Sequence, residues 1–265
     1  MVAKWIFCTA VLASSGAIAQ TLGTNVVARV TERVNAGDCV GAVTILKTGL
    51  ADNTPGTALL AGTMYERGIC LKQNWDNAVG NYILAHERGE PAAAYRLAAG
   101  YAAPLGGPDP AAALWWIGQS NAKNLQQPCH VQESEQSDPD RFVAALQKWT
   151  PALIAECNYV AGVFATVVSD VLLSRELVWT HKEGQMVLRF KPALGEIDVW
   201  ATTTGGVFSN ALPAGQEASR RAARSTGLES SIKNIADSAL VRYPKPPGLD
   251  PVSIQMIGFT VGRNR

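Results

Sequence analysis

Histidine is scarce in this chain, with three residues, His86, His130 and His181, standing in unrelated contexts. There is no His-Glu-x-x-His pair for a zinc hydrolase and no Gly-x-Ser-x-Gly elbow for a serine nucleophile. A glycine-rich loop carrying a lysine, which would cradle phosphate, is missing too. Carboxylate pairs such as Glu133 and Glu135 fall in a polar stretch where solvation accounts for them. No catalytic residue, metal ligand or cofactor is therefore nominated. Charge is also sparse and balanced, at 17% of residues and a formal net of +1. A nucleic-acid binder needs a clustered basic face, and the nearest thing to one, Arg220, Arg221 and Arg224, reads as the solvated side of a helix. Apolar content of 47% with so little charge argues against a disordered chain.

Long apolar runs are few, and the one that stands out is at the start. Lys4 supplies a positive leader region, the stretch from Trp5 to Ala13 is apolar, and Ala17-Ile18-Ala19 precedes Gln20 as a small-x-small cleavage site. Residues 1–19 are therefore expected to be a cleaved signal peptide. Its core is shorter than the roughly twenty residues that span a bilayer, and Cys8 lacks the context of a lipid-anchor site. No later stretch looks apolar and uncharged for long enough, so no integral membrane segment is expected after cleavage. The expected location is the periplasm.

Between Thr57 and Ser120 the chain repeats. Ala58, Ala61-Gly62 and Tyr65 align with Ala94, Leu97-Ala98 and Tyr101 at an offset near 36 residues, and Ala42-Val43 aligns with Ala78-Val79. Ala78 and Tyr82 then find partners at Ala112 and Trp116, about two residues sooner. A period in the mid-thirties with small residues at 3–4 spacing indicates stacked helix hairpins. These residues, with Gly68-Ile69, Asp76, Ala85 and Gly89 in the first unit and Leu105 and Asp109 in the second, resemble the SEL-like repeats, relatives of the tetratricopeptide repeats. Ala61 stands where that family usually has leucine, and Pro104 replaces the turn glycine. The resemblance implies a solenoid over residues 20–122 that binds proteins.

The leader aside, four cysteines remain: Cys39, Cys70, Cys129 and Cys157. An even count in an exported chain reads as disulfides, in any of three connectivities. Stacked antiparallel hairpins would bring Cys39, near the start of one helix, beside Cys70, just past the end of the next. Cys129–Cys157 then follows by elimination. Metal binding at Cys129-His130 is the competing reading, but the spacings match no zinc pattern. The aromatic series Tyr65, Trp75, Tyr82, Tyr101, Trp115 and Trp116 reads as filling between helices. Trp115 and Trp116 cannot share one helix side, so one of them is a candidate for exposure.

Residues 123–158 form a polar linker followed by a helix that Asp138-Pro139 opens. A helix over about 159–175 follows, then strands over Gln185–Phe190 and Glu196–Thr202 with a turn at 192–195. Helices over Ala214–Thr226 and Glu229–Arg242 and a strand over Ser253–Val261 complete the chain. The order helix, strand, strand, helix, strand, with Val187 to Phe190, Gly195-Glu196-Ile197, Tyr243-Pro244-Lys245-Pro246-Pro247 and Ile254 to Phe259, resembles the C-terminal domain of TonB and TolA proteins. The extra helix after Pro213 and the lack of a long proline-rich spacer depart from that family. The resemblance assigns residues 159–265 to a small α+β domain with a three-stranded antiparallel sheet.

The whole chain is expected to be an α+β multidomain protein that binds envelope or periplasmic proteins. Strand addition at Ile254, Gln255, Met256 and Ile257 would be the second mode of binding, if that strand lies at an edge and not at the sheet centre. Two other classes compete. One is an exported enzyme or inhibitor acting on the cell wall, betrayed by a polar pocket with perturbed carboxylates. The other is a structural subunit of an envelope or secretion assembly, betrayed by a large apolar patch.

Overall fold

A computed structural model describes residues 26–103, 108–120, 125–173, 184–203 and 227–261. The leader, the arginine cluster, Pro104, Leu105, His181 and the helix expected over 214–226 lie outside the described residues. The fold is mainly helical with a small three-stranded antiparallel sheet. Two compact units divide between Glu90 and Pro91, a boundary that falls between the two repeat units.

The first unit contains α1 (26–35), α2 (Cys39–Ala51), α3 (Thr57–Arg67) and α4 (Trp75–Glu87). Side-chain caps start two of them: Asp38 accepts from Gly41 N–H at 2.8 Å, and Asn74 accepts from Asn77 N–H at 2.8 Å. Val30, Ala42, Leu46, Ala61 and Met64 form a core between α1, α2 and α3. The repeat's small and aromatic positions meet at Gly62. A Cβ there would stand 2.5 Å from the Tyr82 ring, so only glycine lets α4 approach α3 this closely. Tyr82 is fully buried, and its hydroxyl donates to Glu66 Oε2 at 2.6 Å. Two loops are tied together beyond these helices. Gly56 N–H donates to Glu90 Oε1 at 2.8 Å, and the Arg88 guanidinium donates to Asn53 Oδ1.

The second unit is built on α9 (Pro151–Leu173), joined by α5 (Pro91–Ala102), α6 (Pro110–Gly118), the short α7 (Glu133–Gln136), α8 (Pro139–Leu146) and α10 (Gly227–Arg242). Helix α9 begins eight residues earlier than the sequence reading has it. Thr150 Oγ1 accepts from Leu153 N–H at 3.2 Å ahead of Pro151, the same cap-then-proline start as Asp138-Pro139. The longer helix also corrects the expectation that no later stretch is apolar for long enough. By length and composition Pro151–Leu173 is able to cross a membrane, with a mean hydropathy of 1.5, yet 67% of that window is buried inside the protein. From Cys157 to Val171 only Asn158 and Asp170 escape full burial. Packing against α5, α6, α10 and the sheet accounts for the apolar composition.

The sheet comprises β1 (Gly184–Lys191), β2 (Glu196–Thr203) and β3 (Gln255–Val261) in the order β2-β1-β3. Both ladders are antiparallel, with Phe190 opposite Ile197 on one side and Gln255 on the other. Alternation sends Met186, Leu188, Phe190, Ile197 and Ile257 to the helical side. Phe190 meets Tyr159 and Phe164 edge to face, at centroid distances of 5.4 and 5.8 Å. Fully burying rings of this size contributes about 1.5–3 kcal/mol each. On the opposite side Arg189 pairs with Asp198 at 2.9 Å and Lys191 with Glu196 at 3.1 Å.

Candidate interaction edge

Strand β3 lies at an edge of the sheet, because β1 occupies the centre. Among the described residues its second side has no partner strand, which leaves a row of main-chain groups as a template for another chain. The four residues singled out in the sequence divide by face. Ile254 precedes the strand and is 43% exposed, Met256 is half-buried, and Gln255 and Ile257 are buried.

Gln255 is the unexpected one. Its amide Oε1 accepts from the backbone N–H of Gln126 at 3.1 Å, and its Nε2 donates to the carbonyl of Gln127 at 3.1 Å. One side chain thus satisfies a main-chain donor and a main-chain acceptor of neighbouring residues. The Gln255 side chain is accordingly committed within the protein and does not present itself to a partner. The loop it grips also carries Leu125, Cys129 and Val131 into the core.

The cysteines form two disulfides, Cys39–Cys70 in the first unit and Cys129–Cys157 in the second. Cys39 opens α2 and Cys70 follows α3, so antiparallel packing of successive helices brings them within 4.9 Å between Cα atoms. Cys129–Cys157 ties the loop gripped by Gln255 to α9, with 5.3 Å between Cα atoms.

Trp115 and Trp116 do not divide into one buried and one exposed ring. Both are half-buried against the core, and Trp115 packs edge to face on Phe142 of α8 at 5.3 Å. Helix α8 supplies the second wall that the repeat pattern does not reveal. His86 is half-buried on α4. His130 borders a dent of about 10 Å³ beside Ile117, Leu125 and Gln136, room for about one water molecule. Among the described residues no group of three or more His, Cys, Asp or Glu is placed to hold a metal ion. Burial raises the Tyr159 phenol above its ordinary value and keeps it protonated at neutral pH.

The sequence reading passed over a buried ion pair. Arg96 on α5 is 1% exposed and donates to Asp170 of α9 at 2.6 Å. A signal existed, since each is the lone charge in a long apolar stretch of its helix, and such a charge has to find its opposite. No protein family, curated protein or solved structure matches this chain.

Proposed function

We propose that this is an exported, periplasmic, non-catalytic interaction protein that binds envelope proteins through helical repeats and through the open side of β3. The single observation that carries the reading is the position of β3 at the sheet edge, with one side paired to β1. An extended segment adding there would gain main-chain hydrogen bonds, and alternate side chains would select its sequence. Two disulfides support the exported location, because such bonds persist in oxidising compartments. The SEL-like reading of the repeats is supported by the close seating of Tyr82 on Gly62, two positions of that repeat. The TonB-like reading of the C-terminal part is supported by the order α9, β1, β2, α10, β3 among the described elements.

Photo-crosslinking in the periplasm tests the reading. A benzoyl-phenylalanine at Met256 should trap a defined envelope protein, while the same probe at Val241 on α10, which is 88% exposed, should not. Identical adducts from both positions, or none from Met256, would overturn strand addition.

A further inference from the structure

The two disulfides sit in different surroundings. Cys129 and Cys157 are 2% and 0% exposed and belong to the core around α9. Cys39 is exposed, Cys70 is half-buried, and Val40 beside Cys39 is 81% exposed. Exchange begins when a thiolate reaches a disulfide sulfur, so access separates the two bonds. Cys39 is open to such an attack in the folded protein. Cys129–Cys157 is closed to it until the core of the second unit opens.

The bond also holds one end of α2 and not the other. Near its end, α2 is seated on α3 without help from the bridge. Thr57 Oγ1 donates to the Gly49 carbonyl at 3.3 Å, and a Cβ at Gly49 would stand 2.6 Å from Thr57 Cγ2. In the first turn of α2 only the small Ala42 is buried, and the bond to Cys70 is the covalent tie to the segment after α3. That segment has to be held in place. Cys70 has φ +56°, a left-handed conformation that a residue with a Cβ keeps only where its surroundings impose it.

We propose that Cys39–Cys70 is a redox switch in the first unit, operated by a dithiol reductant and independent of strand addition at β3. One thiolate of the reductant attacks Cys39 Sγ. The S–S bond breaks, Cys70 leaves as a thiolate, and a mixed disulfide forms on Cys39. The second thiolate of the reductant then attacks its own sulfur in that mixed disulfide and releases the Cys39 thiolate. The dithiol is oxidised to a disulfide, its two electrons pass to the cysteines, and its two protons convert them to thiols. The start of α2 is then free to leave the segment after α3, while the end of α2 stays seated and Cys129–Cys157 stays closed.

Dithiothreitol is the probe, applied without denaturant to the exported full-length chain, with freed thiols trapped by alkylation and located by peptide mapping. Cys39 and Cys70 should be alkylated at least about tenfold faster than Cys129 and Cys157. Glutathione, which has no second thiol, should be trapped as an adduct on Cys39 with Cys70 alkylated. In the selectively reduced protein, hydrogen exchange should quicken about tenfold or more at the amides of residues 42–45 and 69–73. It should stay within about twofold near Gly49 and along α9. The Cys39→Ser, Cys70→Ser double variant should reproduce this pattern with no reductant present. Equal rates for the two bonds, Cys129–Cys157 opening first, or a glutathione adduct on Cys70 would overturn the inference. So would selective reduction that leaves exchange at the start of α2 unchanged. Acceleration throughout α2, α3 and α4 would mean that the bond holds the whole unit together, and would overturn a local switch.

Discussion

The hydroxyl of Tyr243 donates to the carbonyl of Ala99 at 2.7 Å, joining the residue after α10 to α5 across 144 positions of sequence. The same oxygen lies 2.8 Å from Thr166 Oγ1 on α9, so one phenol links three helices. Gly162 makes this possible, since a Cβ there would stand 2.6 Å from Tyr243 Cε1 and 2.9 Å from Ala102 Cβ. Tyr243→Phe should cost about 1–3 kcal/mol by stranding buried polar groups. Gly162→Ala should cost about 1–3 kcal/mol through overpacking. Urea unfolding should show a lower midpoint for each, with an unchanged slope.

The Arg96–Asp170 pair makes an asymmetric prediction. Asp170→Ala leaves the buried guanidinium without its carboxylate, at a cost near the lower end of about 3–5 kcal/mol because Asp170 is partly reached by water. Replacing both, as Arg96→Met with Asp170→Leu, should recover most of that loss. Thermal melts of the two variants check the order. A double variant no better than the single one would mean that the pair contributes more than it costs to bury.

The Gln255 side chain should matter for the loop it grips more than for the strand it belongs to. Gln255→Leu removes both amide bonds and should cost about 1–3 kcal/mol. Hydrogen exchange should accelerate first at Gln126 and Cys129, before the β1–β3 ladder opens. Uniform acceleration across the sheet would contradict this.

Non-reducing peptide mapping should recover Cys39 joined to Cys70 and Cys129 joined to Cys157. In the chain-entropy account, closing a loop of about thirty residues stabilises by about 3–4 kcal/mol. The Cys39→Ser, Cys70→Ser double variant should therefore unfold at markedly lower urea.

Asp38 links the first unit to pH. The Gly41 N–H and then the Arg33 guanidinium hold its carboxyl below the ordinary value. A group whose pKa is lower folded than unfolded stabilises the fold above the ordinary carboxylate range, and that contribution fades as pH falls through the folded value. Stability below about pH 4 should thus fall less steeply in Asp38→Asn than in the natural chain. An NMR titration of Asp38 that moves upward in Arg33→Ala would assign the cause.

What the sequence determined by itself was local. Small residues at 3–4 spacing located the helices of the repeat, Asp138-Pro139 placed the start of α8, alternation marked β1 and β2 within a residue or two, and the apolar run after the proline-rich exit of α10 marked β3. Thr150-Pro151 carried an equally legible start for α9, which the polar residues between 156 and 158 obscured. The edge strand could be located but not assigned to an edge, because strand order depends on how helices and sheet close around one core. The tertiary structure alone decided that β1 is central and which face of β3 turns inward. It also decided that Gln255 is a buried clamp. A glutamine in an apolar strand reads as a solvent-facing residue until a backbone segment about 130 positions away arrives to satisfy both ends of its amide. Trp115 and Trp116 likewise owe their half-burial to packing that no periodicity within α6 encodes. Periodicity reports which side of an element is apolar, while the identity of what covers that side is fixed only when distant segments meet.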